Sequence, residues 1–131
     1  MRAVEQKKSV LLVGIDPVMI DFSSPDFAPY NLSADRVMSA LLADNERLRG
    51  LGYDADLCLT DLGATAERVV EDKVRAKAYD CVMIGAGIRV IPGSFQLFEN
   101  LINVVHANAP RAKLCFNTKP SDTAEAVMRW V

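Results

Sequence analysis

The sequence predicts an α/β fold, a three-layer sandwich around a four-stranded parallel sheet of order 2-1-3-4. Three observations carry this expectation. Four strand-like runs alternate strictly with four helical patterns, which implies parallel strands joined by right-handed crossovers. The first and third runs, SVLLVGI (Ser9–Ile15) and DCVMIGAG (80–87), are continuously apolar, as strands covered on both faces are. The second, YDADLCLT (53–60), alternates, with Ala55, Leu57 and Leu59 on one face and Asp56, Cys58 and Thr60 on the other, and so belongs at an edge. The fourth, AKLCFNT (112–118), is interrupted by Lys113 and takes the remaining outer place.

The helices follow the strands. The first starts at the N-cap Ser33, with Asp35 in its opening turn, and ends at the Gly50 and Gly52 pair; its inner face is Ala34, Val37, Met38, Leu41 and Leu48. The second covers 65–78 with a thin stripe of Ala66, Val69, Val70 and Val74, flanked by Lys73 and Lys77. The third begins at the N-cap Ser94 and stops before Pro110. Phe95, Leu97, Phe98, Leu101, Ile102, Val104 and Val105 cover half its circumference, more than the usual stripe of about 100°. The fourth, SDTAEAVMRWV, carries a capping-box spacing from Asp122 to Glu125 and an inner stripe of Ala124, Val127, Met128 and Val131.

A chain of 131 residues is expected to form one domain, with residues 1–8 as an N-terminal tail. Half the residues are apolar, enough for a core at this size. A net charge of −2 and a pI near 5.3 give no basic excess, so neither nucleic acid nor an anionic membrane is an expected partner. MRAVEQKKSV lacks the apolar run of a signal peptide, and no segment approaches the roughly 20 apolar residues of a membrane span. Three cysteines without an export signal read as reduced, and the protein as cytoplasmic.

The order 2-1-3-4 is that of a truncated doubly wound sheet, flavodoxin-like or Rossmann-like. It reverses between strands 1 and 3, and ligands in such sheets bind beyond the strands' carboxyl ends at that reversal. Three segments are expected to meet there. Residues 16–32 form a link of 17 residues where two to six are usual, and carry Asp16, Asp21, Asp26 and Tyr30. This loop is a lid, a binding loop or a partner surface, or else a plug that caps the sheet and buries Met19, Ile20, Phe22 and Phe27. In VMIGAGIRVIPGS (82–94), Gly85 and Gly87 permit positive φ and close backbone approach, Arg89 can grip an anion at two points, and Ser94 leaves amides free at a helix start. The alternative is a glycine turn with Arg89 paired to a loop aspartate. In FNTKP (116–120), Asn117, Thr118 and Lys119 stand where strand 4 stops, to line the cleft or to tie down the turn.

The expected ligand-binding set is therefore Asp16, Gly85, Gly87, Arg89, Ser94, Asn117, Thr118 and Lys119, and the ligand small and polar or anionic. Asp16 beside Arg89 or Lys119 can do acid–base work, which does not decide whether the protein is an enzyme. No cofactor can be read from the sequence. GAGIRVIPG has Val90 where the dinucleotide fingerprint needs its third glycine. Walker A is absent, and the Ser/Thr/Gly-rich phosphate loop of a flavodoxin does not follow strand 1. His106 alone cannot build a metal site, and no cysteine is spaced to join it. Cys58, Cys81 and Cys115 fall inside strands as small apolar fillers. Asn45 falls on the buried side of the first helix, where an amide needs partners and can pin the long loop. Trp130 is expected to close the core or a subunit contact.

On the strand–helix alternation, on DCVMIG at strand 3 and on TKP late in the chain, the sequence resembles a bacterial response-regulator receiver domain. Gly85 stands where receivers place the phospho-accepting aspartate. Asp16 stands alone where they carry an acidic pair, and Thr118, Lys119 and Pro120 are adjacent where receivers draw them from two strands. A fifth strand is missing. What the resemblance implies is shape, and a bacterial source. It supplies a second functional expectation: a non-catalytic, receiver-like interaction module that dimerises through the third predicted helix or the C-terminal VMRWV.

Overall fold

A computed structural model describes residues 7–131, so the first six residues of the expected tail lie outside it, as do the side chains of Asp26 and Tyr30. The chain runs β1 (Ser9–Ile15), α1 (Ala34–Gly50), β2 (Asp54–Thr60), α2 (Ala66–Ala76), β3 (Cys81–Ile84), α3 (Ala86–Val90), α4 (Phe95–Asn108), β4 (Lys113–Phe116) and α5 (Thr123–Met128). The four strands form one parallel sheet of order β2-β1-β3-β4, the predicted flavodoxin-like arrangement. β1 is central because its side chains are apolar on both faces: Val10, Leu11, Leu12, Val13 and Ile15 are all buried. No helix among the described residues is long and apolar enough to cross a membrane.

Two cores sandwich the sheet. On one face Leu11, Val13, Ile15, Cys58, Val82 and Ile84 pack under α2, α3 and α4. On the other, Val10, Leu12, Ala55, Cys81, Met83 and Cys115 pack under α1 and α5. β2 lies at the edge as expected, but its better-covered face is not wholly the expected one. Cys58 and Thr60 are buried while Leu57 and Leu59 are only partly so. Cys58 shares its cluster with Ala66, Val70 and Val74 of α2, which covers that side.

Arginines meet both outer strands. Arg49 Nε donates to Ala55 O at 3.0 Å on β2, and Arg129 donates to Phe116 O at 3.1 Å on β4. Lys77, just past α2, ties β2 to the helix layer that covers it: its Nζ lies 2.8 Å from Asp54 Oδ2 and 2.9 Å from Asp56 Oδ2. Tyr79 also donates to Asp56 Oδ2, at 2.7 Å. Burial works to raise the Asp56 carboxyl, but the Lys77 and Tyr79 hydrogen bonds outweigh it and hold the group below its ordinary value. A carboxyl lowered on folding stabilises above its unfolded value, near 3.8, and loses that contribution as pH falls through the folded value. Thermal melts of wild type are therefore expected to drop below about pH 4, where carboxyl groups titrate. The corresponding curve for Lys77→Met should be flatter over that range; parallel curves would show that this pair contributes nothing to acid sensitivity.

The helix expectations need three corrections. First, Ala86–Val90 form a short helix, α3, instead of a glycine turn. Neither Gly85, with φ −66°, nor Gly87 uses positive φ. Gly85 does serve a close approach: its amide donates to Val13 O at 2.9 Å, and an added Cβ would stand 3.2 Å from that oxygen. The chain thus leaves β3 three residues earlier than its apolar run suggests. β4 likewise stops at Phe116. Second, Asp122 does not cap α5; its carboxylate accepts the amides of Thr118 at 2.9 Å and Lys119 at 3.3 Å and closes the preceding turn. Third, Ala126 is buried in α5 and Met128 is exposed, and Trp130 is 54% exposed instead of closing the core. The wide apolar half of α4 packs on the sheet and on α2. Leu97, Leu101 and Val105 are buried, and Phe98, Ile102 and Val104 pack against the same core. Phe95, at the helix start, is left out. The start of α1 is as expected, with Ser33 Oγ accepting the Arg36 amide at 3.2 Å; past its end Gly52 has φ +97°.

Candidate functional site

The carboxyl ends of β1 and β3 lie side by side, and the residues predicted for the cleft gather there in two groups. Asn117 organises the first. Its Oδ1 accepts the Ala86 amide at 2.7 Å, its Nδ2 donates to Thr123 Oγ1 at 2.9 Å, and its main-chain oxygen accepts Arg89 Nη2. Arg89 also reaches Ile84 O at 3.4 Å and lies over the Phe116 ring at 5.7 Å. Thr123 in turn donates to Asp44 Oδ2 at 2.8 Å. The result is a polar chain from α1 through α5 and the end of β4 to the start of α3. Burial raises the Asp44 carboxyl, and the Thr123 hydrogen bond and Arg47 only partly offset it. By linkage, a carboxyl raised on folding loses nothing on acidification and instead gains stability as it takes up its proton.

The other predicted residues also have partners or structural roles. Asp16 accepts the Val18 amide at 3.1 Å and so caps the turn Pro17–Met19, while its own amide donates to Thr60 O at 2.8 Å. No ion pair joins Asp16 to Arg89 or Lys119 among the described residues. Ser94 is buried and makes no N-cap bond; its hydroxyl donates to Ile88 O and to Ile91 O, the latter at 2.6 Å. Thr118 bonds the Asp122 carboxylate through its amide and its hydroxyl. Lys119 is exposed, and Gly87 lies on the exposed side of α3. Arg89, the intended anion grip, is thus turned inward onto main-chain oxygens.

The open surface next to this network is apolar. A depression of about 270 Å³ is lined by Met19, Ile20, Asp21, Ser24, Phe27, Leu62, Ile91 and Pro92. Met19, Ile20, Asp21, Ser24 and Phe27 of the 16–32 loop form one wall of it. Ile20 packs onto the core, Phe22 and Phe27 hold each other at 5.5 Å, and Met19 stays exposed. Hydrogen bonds from Ser23 hold the Asp21 carboxyl below its ordinary value. A second depression, about 350 Å³, lies at the opposite edge of the sheet among Arg75, Lys77, Tyr79, Asn108 and Arg111, away from the strand-order reversal.

Leu62 and Ile91 carry no polar signal in the sequence; both sit beside a glycine or proline in a link leaving a strand. Thr123 and Asp44 gave no signal at all. His106 is exposed on the flank of α4, and no group of three or more metal-binding side chains occurs among the described residues. Asn45 is buried as expected, but its Oδ1 has no partner among the described residues. Asn45→Leu is expected to stabilise the domain by about 1–2 kcal/mol in urea titrations, because it removes a buried unpaired carbonyl. A loss of stability would mean that the amide is bonded after all.

No protein-family model matches the chain, and comparison with curated proteins finds no match.

Proposed function

We propose that this protein is a binding domain that holds a small polar ligand at the carboxyl edge of its sheet, with the ligand's apolar body seated in the depression between the 16–32 loop, Leu62 and Ile91. One observation carries this reading: beside the strand-order reversal the polar side chains serve the protein itself, while the hollow left open is walled by Ile20, Phe27, Leu62, Ile91 and Pro92. Apolar walls with a few polar groups are what small-molecule sites commonly present. Asp21 lines the hollow and favours a hydrogen-bond donor or cation on the ligand. Arg89, the anchor an anionic ligand would need, is engaged with Asn117 and Ile84.

The test is a thermal-shift screen of small amines, alcohols and carboxylates against wild type and Leu62→Asp. Leu62 is half exposed, so the variant should fold. Compounds that raise the Tm of wild type and leave the variant unmoved support the proposal. A screen without hits, or hits that shift both proteins equally, overturns it.

A second reading, the interaction module, is favoured by Val90 and Phe95, which are 67% and 72% exposed on either side of the Ile91–Pro92 turn. Sedimentation at rising concentration separates the two. A dimer abolished by Phe95→Glu would put this second reading first, and a monomer throughout would remove it.

A further inference from the structure

Cys81 and Cys115 meet inside the sheet. Both are fully buried free thiols, with sulfurs 3.3 Å apart. The register pairs Cys81 with Lys113 and Met83 with Cys115, so the two are diagonal neighbours on the face covered by α1 and α5. Cα atoms of diagonal neighbours stand on the order of 7–8 Å apart. A disulfide tolerates at most about 7 Å without backbone movement. The side chains have closed most of that gap, and the backbone must supply the rest. β4 is the strand free to move: it is four residues long and lies at the sheet edge.

We propose that Cys81 and Cys115 form a redox pair whose oxidation to a disulfide shifts β4 against β3 and loosens α3. The oxidant is hydrogen peroxide. One sulfur attacks the peroxide O–O bond and becomes a sulfenic acid, and the other peroxide oxygen leaves as water with that thiol's proton. The second sulfur then attacks the sulfenic sulfur, and the hydroxyl leaves as a second water with the second thiol's proton. Two thiols lose two electrons and two protons, and one peroxide becomes two waters. Either thiol serves as the attacking member, because the two sulfurs share one contact in which either can be the donor. Because both sulfurs are buried, the reaction proceeds through local opening of β4.

The consequence is felt two residues on. Closing the sulfurs from 3.3 Å to about 2.0 Å drags the end of β4, and with it Asn117, whose side chain and main chain hold Ala86 and Arg89. This switch needs no ligand. Cys58 is an internal control: it is buried on the opposite face, and burial pushes its thiol up to about 11.

The test treats wild type with hydrogen peroxide, maps peptides without reductant and follows amide hydrogen exchange. The expected result is a Cys81–Cys115 link within one chain, an unmodified Cys58, and about tenfold faster exchange at residues 86–90, the effect of one lost hydrogen bond. Dithiothreitol should reverse all of it. Cys58→Ala should behave like wild type, and peroxide-treated Cys115→Ala should show no acceleration at α3. The proposal falls if oxidation stops at sulfur oxyacids, if the link joins Cys58 or two chains, if α3 exchange is unchanged in the linked protein, or if Cys115→Ala shows the same acceleration.

Discussion

Asn117→Leu is expected to cost the domain about 2 kcal/mol, because it removes the acceptor of the Ala86 amide, worth about 1–3 kcal/mol when buried and unpaired, and also a donor to Thr123. Oδ1 is the acceptor for the Ala86 amide at the start of α3, and Nδ2 is a donor to Thr123 at the start of α5. Leucine fills a similar volume but offers neither group, so the loss is one of pairing and not of packing. Asn117→Asp separates the two bonds. It keeps an acceptor for Ala86, loses the donor to Thr123, and places a second carboxylate near Asp44, whose carboxyl burial already raises. Its cost should fall between wild type and leucine at low pH and grow as pH rises. Urea titrations at two pH values measure both variants. A loss below about 1 kcal/mol for Asn117→Leu, the net worth of an ordinary hydrogen bond, would mean that Asn117 does not hold the elements together.

Leu101→Ala on α4 should cost about 2–5 kcal/mol, as truncation of a fully buried leucine does. Leu101 is completely inaccessible, at the centre of the cluster where α4 meets Val82 and Ile84. Phe95→Ala on the same helix should change stability by no more than about 0.5 kcal/mol, the usual range for surface positions, since its ring is 72% exposed. The contrast tests how α4 is turned. If Phe95→Ala instead lowered the Tm in a way that depended on protein concentration, a second copy of the chain would be covering the helix start.

The sheet was legible because burial on two faces leaves a mark that does not depend on detail. A run such as VLLVGI has nowhere to go but the middle, and the alternation of DADLCLT has nowhere to go but an edge. The cleft was legible only in place, because place follows from topology. Its chemistry was not. Arg89, Asn117 and Ser94 are residue types that serve a ligand and a main-chain carbonyl equally well, and the choice depends on where the chain goes next. Ala86–Val90 turn into α3 instead of remaining extended, which carries Arg89 round onto the end of β4 and sets Ser94 under the carbonyls of Ile88 and Ile91. A five-residue helix has too few turns to show periodicity, so nothing in GAGIRVIPG announced it. Asp122 shows the same limit on a smaller scale: the capping-box spacing is present, but the carboxylate reached the nearer amides first.

The guanidinium groups seated on Ala55 O and Phe116 O have a consequence for crowding. In a parallel ladder alternate residues point their main-chain groups away from the neighbour. The register places Ala55 and Phe116 among those facing outward. A foreign strand approaching from either flank must first dislodge a positive charge from the oxygen it seeks. The sheet therefore has a fixed width, and raising the protein's concentration should not recruit extra strands or seed fibrils along its rims.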